Sequence, residues 1–391
     1  MSALVDSEQV LLAEVRRIAD EVAAARAEEV DRDARFPFET LEALRSARAL
    51  SAAVPEVLGG DGVSLGTIAR CCFELARGCS SAAMVFAMHQ IQVITIARHL
   101  EGAPWYEAYL RDLAREQRLI ASVTSEIGTG GDMSRSIAAA TPDAGELRFE
   151  KHAPTVSYGL YADDLFTTLR RAPDAEPGDQ ILVLTRSGQA ELEPAGSWDT
   201  LGMRGTCSPG FVVRARFAAE QVLPAPFPEV MAQSLVPLSH ILWSHVWLGI
   251  ATEAAERARA FVRAAARQKP GEPLPAAQRL SHVMAELTLL RGEVTHALQD
   301  FIAADDGGDR GRLMTMASVL RFNNLKLAAS EQSPHVCGGA LEVVGIVGYK
   351  NDTPYSVGRH LRDALSARLM VANERLHTTD AALLLIAKEA W

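Results

Sequence analysis

Thr124-Ser125-Glu126-Ile127-Gly128-Thr129-Gly130-Gly131-Asp132 stands where this chain changes texture. Before it, apolar residues recur at helical spacing. Within 7–31 they are Val10, Leu11, Val15, Ile18 and Val22, with Ser7 placed to cap the helix. Further helical stretches follow Pro37 at 40–49, run over 64–100 with a break near Gly78, and continue over 104–117. After the nine residues come short β-rich runs at 147–154, 164–171, 181–186 and 211–217, separated by Pro, Gly and Asp and closed by the Pro-rich stretch 223–230. The nine residues are rich in small side chains, which let backbone N–H groups approach a ligand closely.

Beyond Leu238 long helices return. The spacing predicts them over 239–267, over 275–303, from the end of 305–312 to about His335 or beyond, and over 359–376, with a shorter tail helix behind. Four long amphipathic helices with short connections make an antiparallel bundle. The fold class is therefore mostly α with a central β domain: an N-terminal helical domain over 1–120, a small β-barrel over 121–228 and a C-terminal four-helix bundle over 229–391.

With 391 residues, 48% hydrophobic and 23% charged, the chain has ample material for a core and is not of disordered or fibrous composition. Its net charge of −10 and the lack of a basic stripe interleaved with aromatics argue against nucleic acid as a partner. No apolar run reads as long enough to cross a bilayer and the first residues have no basic n-region, so the expectation is no membrane and a cytoplasmic setting. Five cysteines without a CxxC pair give neither a disulfide framework nor a metal site.

Five motifs then stand in one order along the chain. They are Val54-Pro55-Glu56-Val57-Leu58-Gly59-Gly60-Asp61-Gly62, the 124–132 segment, Trp198-Asp199-Thr200-Leu201-Gly202-Met203-Arg204-Gly205-Thr206-Cys207, Arg267-Gln268-Lys269-Pro270-Gly271, and Gly345-Ile346-Val347-Gly348-Tyr349 followed by Arg362-Asp363. Together, over nearly the whole length, they resemble the acyl-CoA dehydrogenase superfamily of flavoproteins. The resemblance implies FAD, with Thr124, Ser125, Gly130 and Gly131 lining the isoalloxazine ring and Ser157 hydrogen-bonding near N5. Thr155 takes the place of an aromatic residue common shortly before that hydroxyl. It implies that Arg267 reaches the pyrophosphate of a neighbouring subunit's FAD, past which Gly345 and Gly348 let the backbone run, and hence a homodimer or homotetramer.

The chain departs from the family where a carboxylate base should remove the substrate's α-proton. The usual Glu position, eight residues after the Asp of Arg362-Asp363, is Val371; the alternative position on the first bundle helix falls at Ser239, followed by His240. Two substitutes are candidate catalytic residues: Glu374, which shares a face with Val371 if the helix continues, and His240, which replaces an Arg beside the substrate. His89 and His245, on apolar helices, read as core histidines, and Glu126 as structural. Glu342 stands in place of a cofactor-contacting Gln, where a cation such as Arg375 would have to compensate, and Ile346 replaces a glycine; both open the way to FMN or an exchangeable reduced flavin.

The first expectation is α,β-dehydrogenation of a small-molecule acyl thioester, acyl-CoA or acyl-carrier protein, with an electron-transfer flavoprotein as partner. The second is a reduced-flavin-dependent monooxygenase on the same fold, fed by a flavin reductase. The third is a non-catalytic flavoprotein scaffold.

Overall fold

A computed structural model of the protein describes residues 2–268, 270–306 and 310–387, so Lys269 of the 267–271 motif lies outside the described residues. The N-terminal helices are α1 (Ser2–Ile18), which runs through a π turn into α2 (Ala24–Arg32), then α3 (Phe38–Ser46), α4 (Leu65–Gly78), α5 (Ser80–His99) and α6 (Pro104–Glu116). The first begins at Ser2, so Ser7 sits inside the helix and does not cap it: helix formers upstream carry the turn further back. The expected kind of cap is instead found at Ser64, whose side chain accepts from the Thr67 amide to open α4.

Seven strands follow: β1 (Ile120–Val123), β2 (Thr141–Asp143), β3 (Glu146–Ala153), β4 (Asp164–Arg170), β5 (Gln180–Arg186), β6 (Ala190–Pro194) and β7 (Phe211–Phe217). They form a three-stranded sheet in the order β1-β4-β5 and a four-stranded sheet in the order β2-β3-β7-β6. β1 runs parallel to β4, with Ile120 opposite Asp164; the other pairs are antiparallel. In β3, Phe149, Lys151 and Ala153 point inward while Glu150 and His152 face solvent, the alternation that a sheet covered on one face requires. β4 and β5 are buried almost throughout.

The chain then returns to helices: α7 (Phe227–Val230), α8 (Val236–Gln268), α9 (Pro275–Asp306), α10 (Met316–Val344), α11 (Ile346–Tyr349), α12 (Gly358–Leu365) and α13 (Asn373–Leu384). α8, α9 and α10 are the long members of the bundle. Two boundaries differ from the sequence reading. α10 passes through Pro334 and ends at Gly345, which caps it with φ +68°. The stretch 359–376 is not one helix: α12 stops at Leu365, a 3₁₀ turn and a bend follow, and α13 starts afresh at Asn373. The reading that no stretch is apolar enough to span a bilayer also needs correction. Ser80–His99 and Phe227–Gln268 pass on length and hydropathy, but their residues are mostly buried in the protein's own core. Composition alone does not separate a core helix from a spanning one.

Two buried polar links tie the N-terminal helices to the β domain. Asp164 at the start of β4 accepts from two Arg118 nitrogens at 2.7 Å, from the Tyr109 hydroxyl at 2.8 Å and from the Ser187 amide at 3.1 Å. On α5, His89 accepts the Ile120 amide at Nδ1, 3.1 Å away, and its Nε2 lies 2.8 Å from the Leu50 carbonyl. Because one ring nitrogen must accept, the Nε2–H tautomer of neutral imidazole is the form that satisfies both partners. His89 and His245, whose Nδ1 lies 2.8 Å from the Ile241 carbonyl, are thus satisfied core residues.

Burial pushes the His89 pKa down to about 4. A histidine depressed in the folded state adds stability that is full above its unfolded value and lost as pH falls toward the folded one. Between pH 6.5 and 4 the protein should therefore lose about 3 kcal/mol through His89 alone. Urea denaturation across that window should show a slope shallower by about one proton in His89→Gln than in the parent; equal slopes would remove His89 from the account.

Candidate functional site

A cavity of about 630 Å³ opens where the three parts of the chain meet. α5 supplies Met84, Met88 and Ile91; the β domain supplies Ser122, Thr124, Ser125, Gly131, Thr155 and Ser157; α8 supplies Ser239 and Trp243. The rest of the wall includes residues of the 198–208 loop, Ser208 among them, and Arg362, Leu365, Leu369 to Ala372 and Arg375. A second groove of about 850 Å³ lies along the β domain, but its Arg214 and Arg216 are already paired with Glu150, Glu193 and Asp143.

Glu126 shapes the small-residue loop. Its buried carboxylate accepts from the Ser136 hydroxyl at 2.7 Å and from the Ile137 and Ala138 amides at 3.0 and 2.6 Å. Behind it the Lys151 ammonium stands 3.6 Å away, its pKa pulled down by burial to about 8. The structural reading of Glu126 fits this geometry: these hydrogen bonds fold the 126–138 loop back on itself. Gly130 and Gly131 then turn with φ +64° and +79°, and a side chain at either would meet only open space. Of the two, Gly131 lines the cavity, and its backbone is left bare to whatever occupies it.

Ser157 is fixed by a row of hydroxyls. Ser208 donates to Ser157 at 2.9 Å, and the Thr206 hydroxyl has two acceptors within reach of its one proton, Ser208 at 2.9 Å and the Met203 carbonyl at 2.8 Å. Tyr158, Met203 and Cys207 have φ of +43°, +52° and +43°. Such backbone is costly for non-glycine residues and tends to collect where a site demands it. Tyr158 is held there by its amide to the Thr206 carbonyl at 2.8 Å and its hydroxyl to the Ile120 carbonyl at 3.0 Å. The sequence signals this row only faintly: Thr206 stands out merely as part of a motif, and nothing marks Ser208.

The 198–203 loop is clamped to the bundle. The Met203 amide donates to the buried Asp363 carboxylate at 2.7 Å. Gly202 lies so close to α12 that a Cβ there would sit 2.2 Å from the Arg362 carbonyl oxygen. Arg362 itself is engaged by the Asp31 carboxylate and the Leu201 carbonyl.

Neither candidate base reaches the cavity. Glu374 is exposed on the outer side of α13 and does not line it. The expectation that it shares a helical face with Val371 fails because the helix is broken between them, with Val371 at φ +55° and Ala372 at φ +27°. His240 is buried with Nδ1 2.9 Å from the Phe322 carbonyl, and burial pushes its pKa down to about 3. It looks toward α10, while Ser239, one residue earlier and about 100° round the helix, lines the cavity. Of the expected flavin residues, Thr124, Ser125, Gly131 and Ser157 line one cavity and Gly130 is next in chain; Arg267, Gly345 and Gly348 do not line it. The Ser125 hydroxyl donates to the Thr155 carbonyl at 2.6 Å. Two cations line the cavity, Arg362 and Arg375; Arg375 stands 3.7 Å from Asp132 and not beside Glu342.

Residues 6–117 match the family model described as acyl-CoA dehydrogenase, N-terminal domain, and residues 232–374 match the acyl-CoA dehydrogenase, C-terminal domain. The chain is 27% identical over 359 residues to amino sugar nitrososynthase DnmZ of Streptomyces peucetius, covering 88% of this chain and 85% of that one. It is 24% identical over 375 residues to human mitochondrial short-chain specific acyl-CoA dehydrogenase, covering 92% and 85%. It is also 24% identical over 361 residues to a probable FMNH₂-dependent monooxygenase, SfnC, of Pseudomonas putida, covering 85% of each.

The geometry separates two substitutions. Glu374→Gln should stay within about 0.5 kcal/mol of the parent and hold flavin equally well. Asp363→Ala should cost about 1–3 kcal/mol by stranding the Met203 amide, and should loosen flavin binding. Urea denaturation and flavin fluorescence titration read both; a Glu374→Gln defect in either would place that carboxylate back at the site.

Proposed function

We propose that this chain, which belongs to the acyl-CoA dehydrogenase family and is a flavoprotein oxidoreductase of that kind, works as a monooxygenase on reduced FMN delivered by a flavin reductase. One observation carries the reading. Among the described residues lining the cavity there is no carboxylate and no imidazole, while hydroxyls of Ser122, Thr124, Ser125, Ser157, Ser208 and Ser239 surround it. Dehydrogenation of an acyl thioester begins with loss of the α-proton to a base, and both candidate bases are turned elsewhere. The relatives named as an FMNH₂-dependent monooxygenase and a nitrososynthase support the same direction.

The residues present suit a flavin. The bare backbone of Gly131, with the hydroxyls of Thr124 and Ser125, offers small polar contacts to a planar ring. When bound, reduced flavin supplies two electrons and activates O₂; the protein supplies placement, hydrogen bonds and shelter from water. With Ser208 donating to it, Ser157 keeps its own proton for a group in the cavity. Thr206, 2.9 Å behind Ser208, is packed against it, so the donor is positioned before any ligand arrives. Met84, Met88, Ile91 and Trp243 close the far side with apolar surface and exclude water. Arg267, Gly345 and Gly348, remote from this chain's cavity, fit an assembly of two or four copies in which they approach a neighbour's flavin.

Anaerobic titration of flavin-loaded protein with acyl-CoA thioesters of varied chain length should leave the flavin absorbance unbleached. Reoxidation of bound reduced FMN by O₂ should change roughly tenfold in Ser157→Ala, the size expected from one hydrogen bond. Bleaching by any thioester would instead support the dehydrogenase, with a base still to be found.

A further inference from the structure

Arg375 occupies an unusual place. It is the basic residue of the cavity wall not already engaged by backbone and carboxylate as Arg362 is. The break at Val371 and Ala372 decides this, because it restarts the helix at Asn373 so that Glu374 faces out and Arg375 faces in. The Arg375 Nε is buried without a hydrogen-bond partner. The nearest carboxylate oxygen, on Asp132, is 3.7 Å from Nη1, an ion pair but not a hydrogen bond. That carboxylate is also shared. It accepts from the Ser134 amide and hydroxyl at 2.9 and 2.6 Å and stands 3.5 Å from Arg135.

Charge around the guanidinium does not balance. Two arginines share Asp132, and the buried Lys326 ammonium, which donates to the Asn373 side chain and has Glu331 as its own counter-charge, lies close enough to feel Arg375. Burial and then Arg375 pull the Lys326 pKa down to about 8, so each cation destabilises the other. A half-buried guanidinium with unfilled donors, set in a wall of Leu369, Met370 and Trp243, is costly unless a ligand supplies an acceptor.

We propose that Arg375 is the anion-binding residue of the substrate site, and that the substrate is an organic anion: an apolar body against Met84, Met88 and Trp243, with a carboxylate or similar oxyanion on the guanidinium. The planar fork of arginine suits two oxygens of one group. This assignment rests on the reading of the cavity as a substrate site beside flavin, and names the substrate class for it.

The test uses FMN-loaded protein and two probes of one shape, naphthalene-2-carboxylate and naphthalene-2-carboxamide, with binding followed by calorimetry. The parent should prefer the carboxylate by roughly tenfold or more, as charge-assisted hydrogen bonds do over neutral ones. Arg375→Gln should abolish that preference and leave amide affinity and FMN affinity as they were, while Arg375→Lys should keep part of it. Equal binding of the two probes to the parent overturns the proposal. So does an Arg375→Gln protein that loses FMN and keeps the preference, because the guanidinium then serves the cofactor. Turnover is not read, so the two ideas fail separately: a carboxylate preference in a protein that thioesters bleach keeps the anion site and sinks the monooxygenase, and the absence of preference in one that they do not bleach sinks the anion site alone.

Discussion

The Asp363 carboxylate accepting the Met203 amide is the contact on which the cavity depends. It joins the β domain to the bundle at a point with no room to spare, since Gly202 already touches the α12 backbone. Burial raises the Asp363 pKa, and Arg359 at 3.9 Å and the amide work against that rise. The carboxylate is thus costly to bury and valuable where it is: removing it would leave an unpaired amide between two parts of the protein. Through Met203 the same contact reaches the site, because the Met203 carbonyl lies beside the Thr206 hydroxyl, and Thr206 packs behind the Ser208 that donates to Ser157.

Five of the nine described non-glycine residues with positive φ lie in or beside the cavity lining, on two facing sides. Tyr158, Met203 and Cys207 surround the hydroxyl row, and Val371 and Ala372 form the bend opposite. For a β-branched residue such as Val371, positive φ is a real outlier that persists only where the surroundings enforce it. On one side the strain aims hydroxyls inward. On the other it puts an apolar turn at Val371, where the resemblance leads one to expect a base, and starts the next helix so that Glu374 faces out and Arg375 lines the cavity.

What the sequence discloses and what it hides follow one physical division. Periodicity locates the three-part architecture, and the small-residue loop locates the ligand-facing backbone, because both are local properties of composition. Register along a motif is enough to single out Ser157 and Ser239, both of which line the cavity. Errors come where a single dihedral or a rotation decides. Val371-Ala372 carries no glycine or proline, so nothing marks the break, and a continuous helix puts Glu374 on the wrong face. His240 is one residue from Ser239, and that step turns it from the cavity to the Phe322 carbonyl. Ser208 and Arg375 have no local signal of their role, since their importance lies in partners distant in sequence.

These departures belong together. A cavity whose described lining has no carboxylate is free to hold an anion, because a carboxylate and an anionic substrate group would repel one another at low dielectric. With Val371 at the old position, the wall there is apolar, and the adjacent charge is the Arg375 guanidinium. An apolar wall beside a cation excludes water from the reaction space while keeping one directional handle on the ligand. Chemistry that needs no proton acceptor on the protein, and that draws its electrons from a delivered cofactor, is the chemistry such a cavity can host. The single bend after Met370 places the apolar wall and the Arg375 guanidinium side by side, which is what the proposed reaction and the proposed anionic substrate both require.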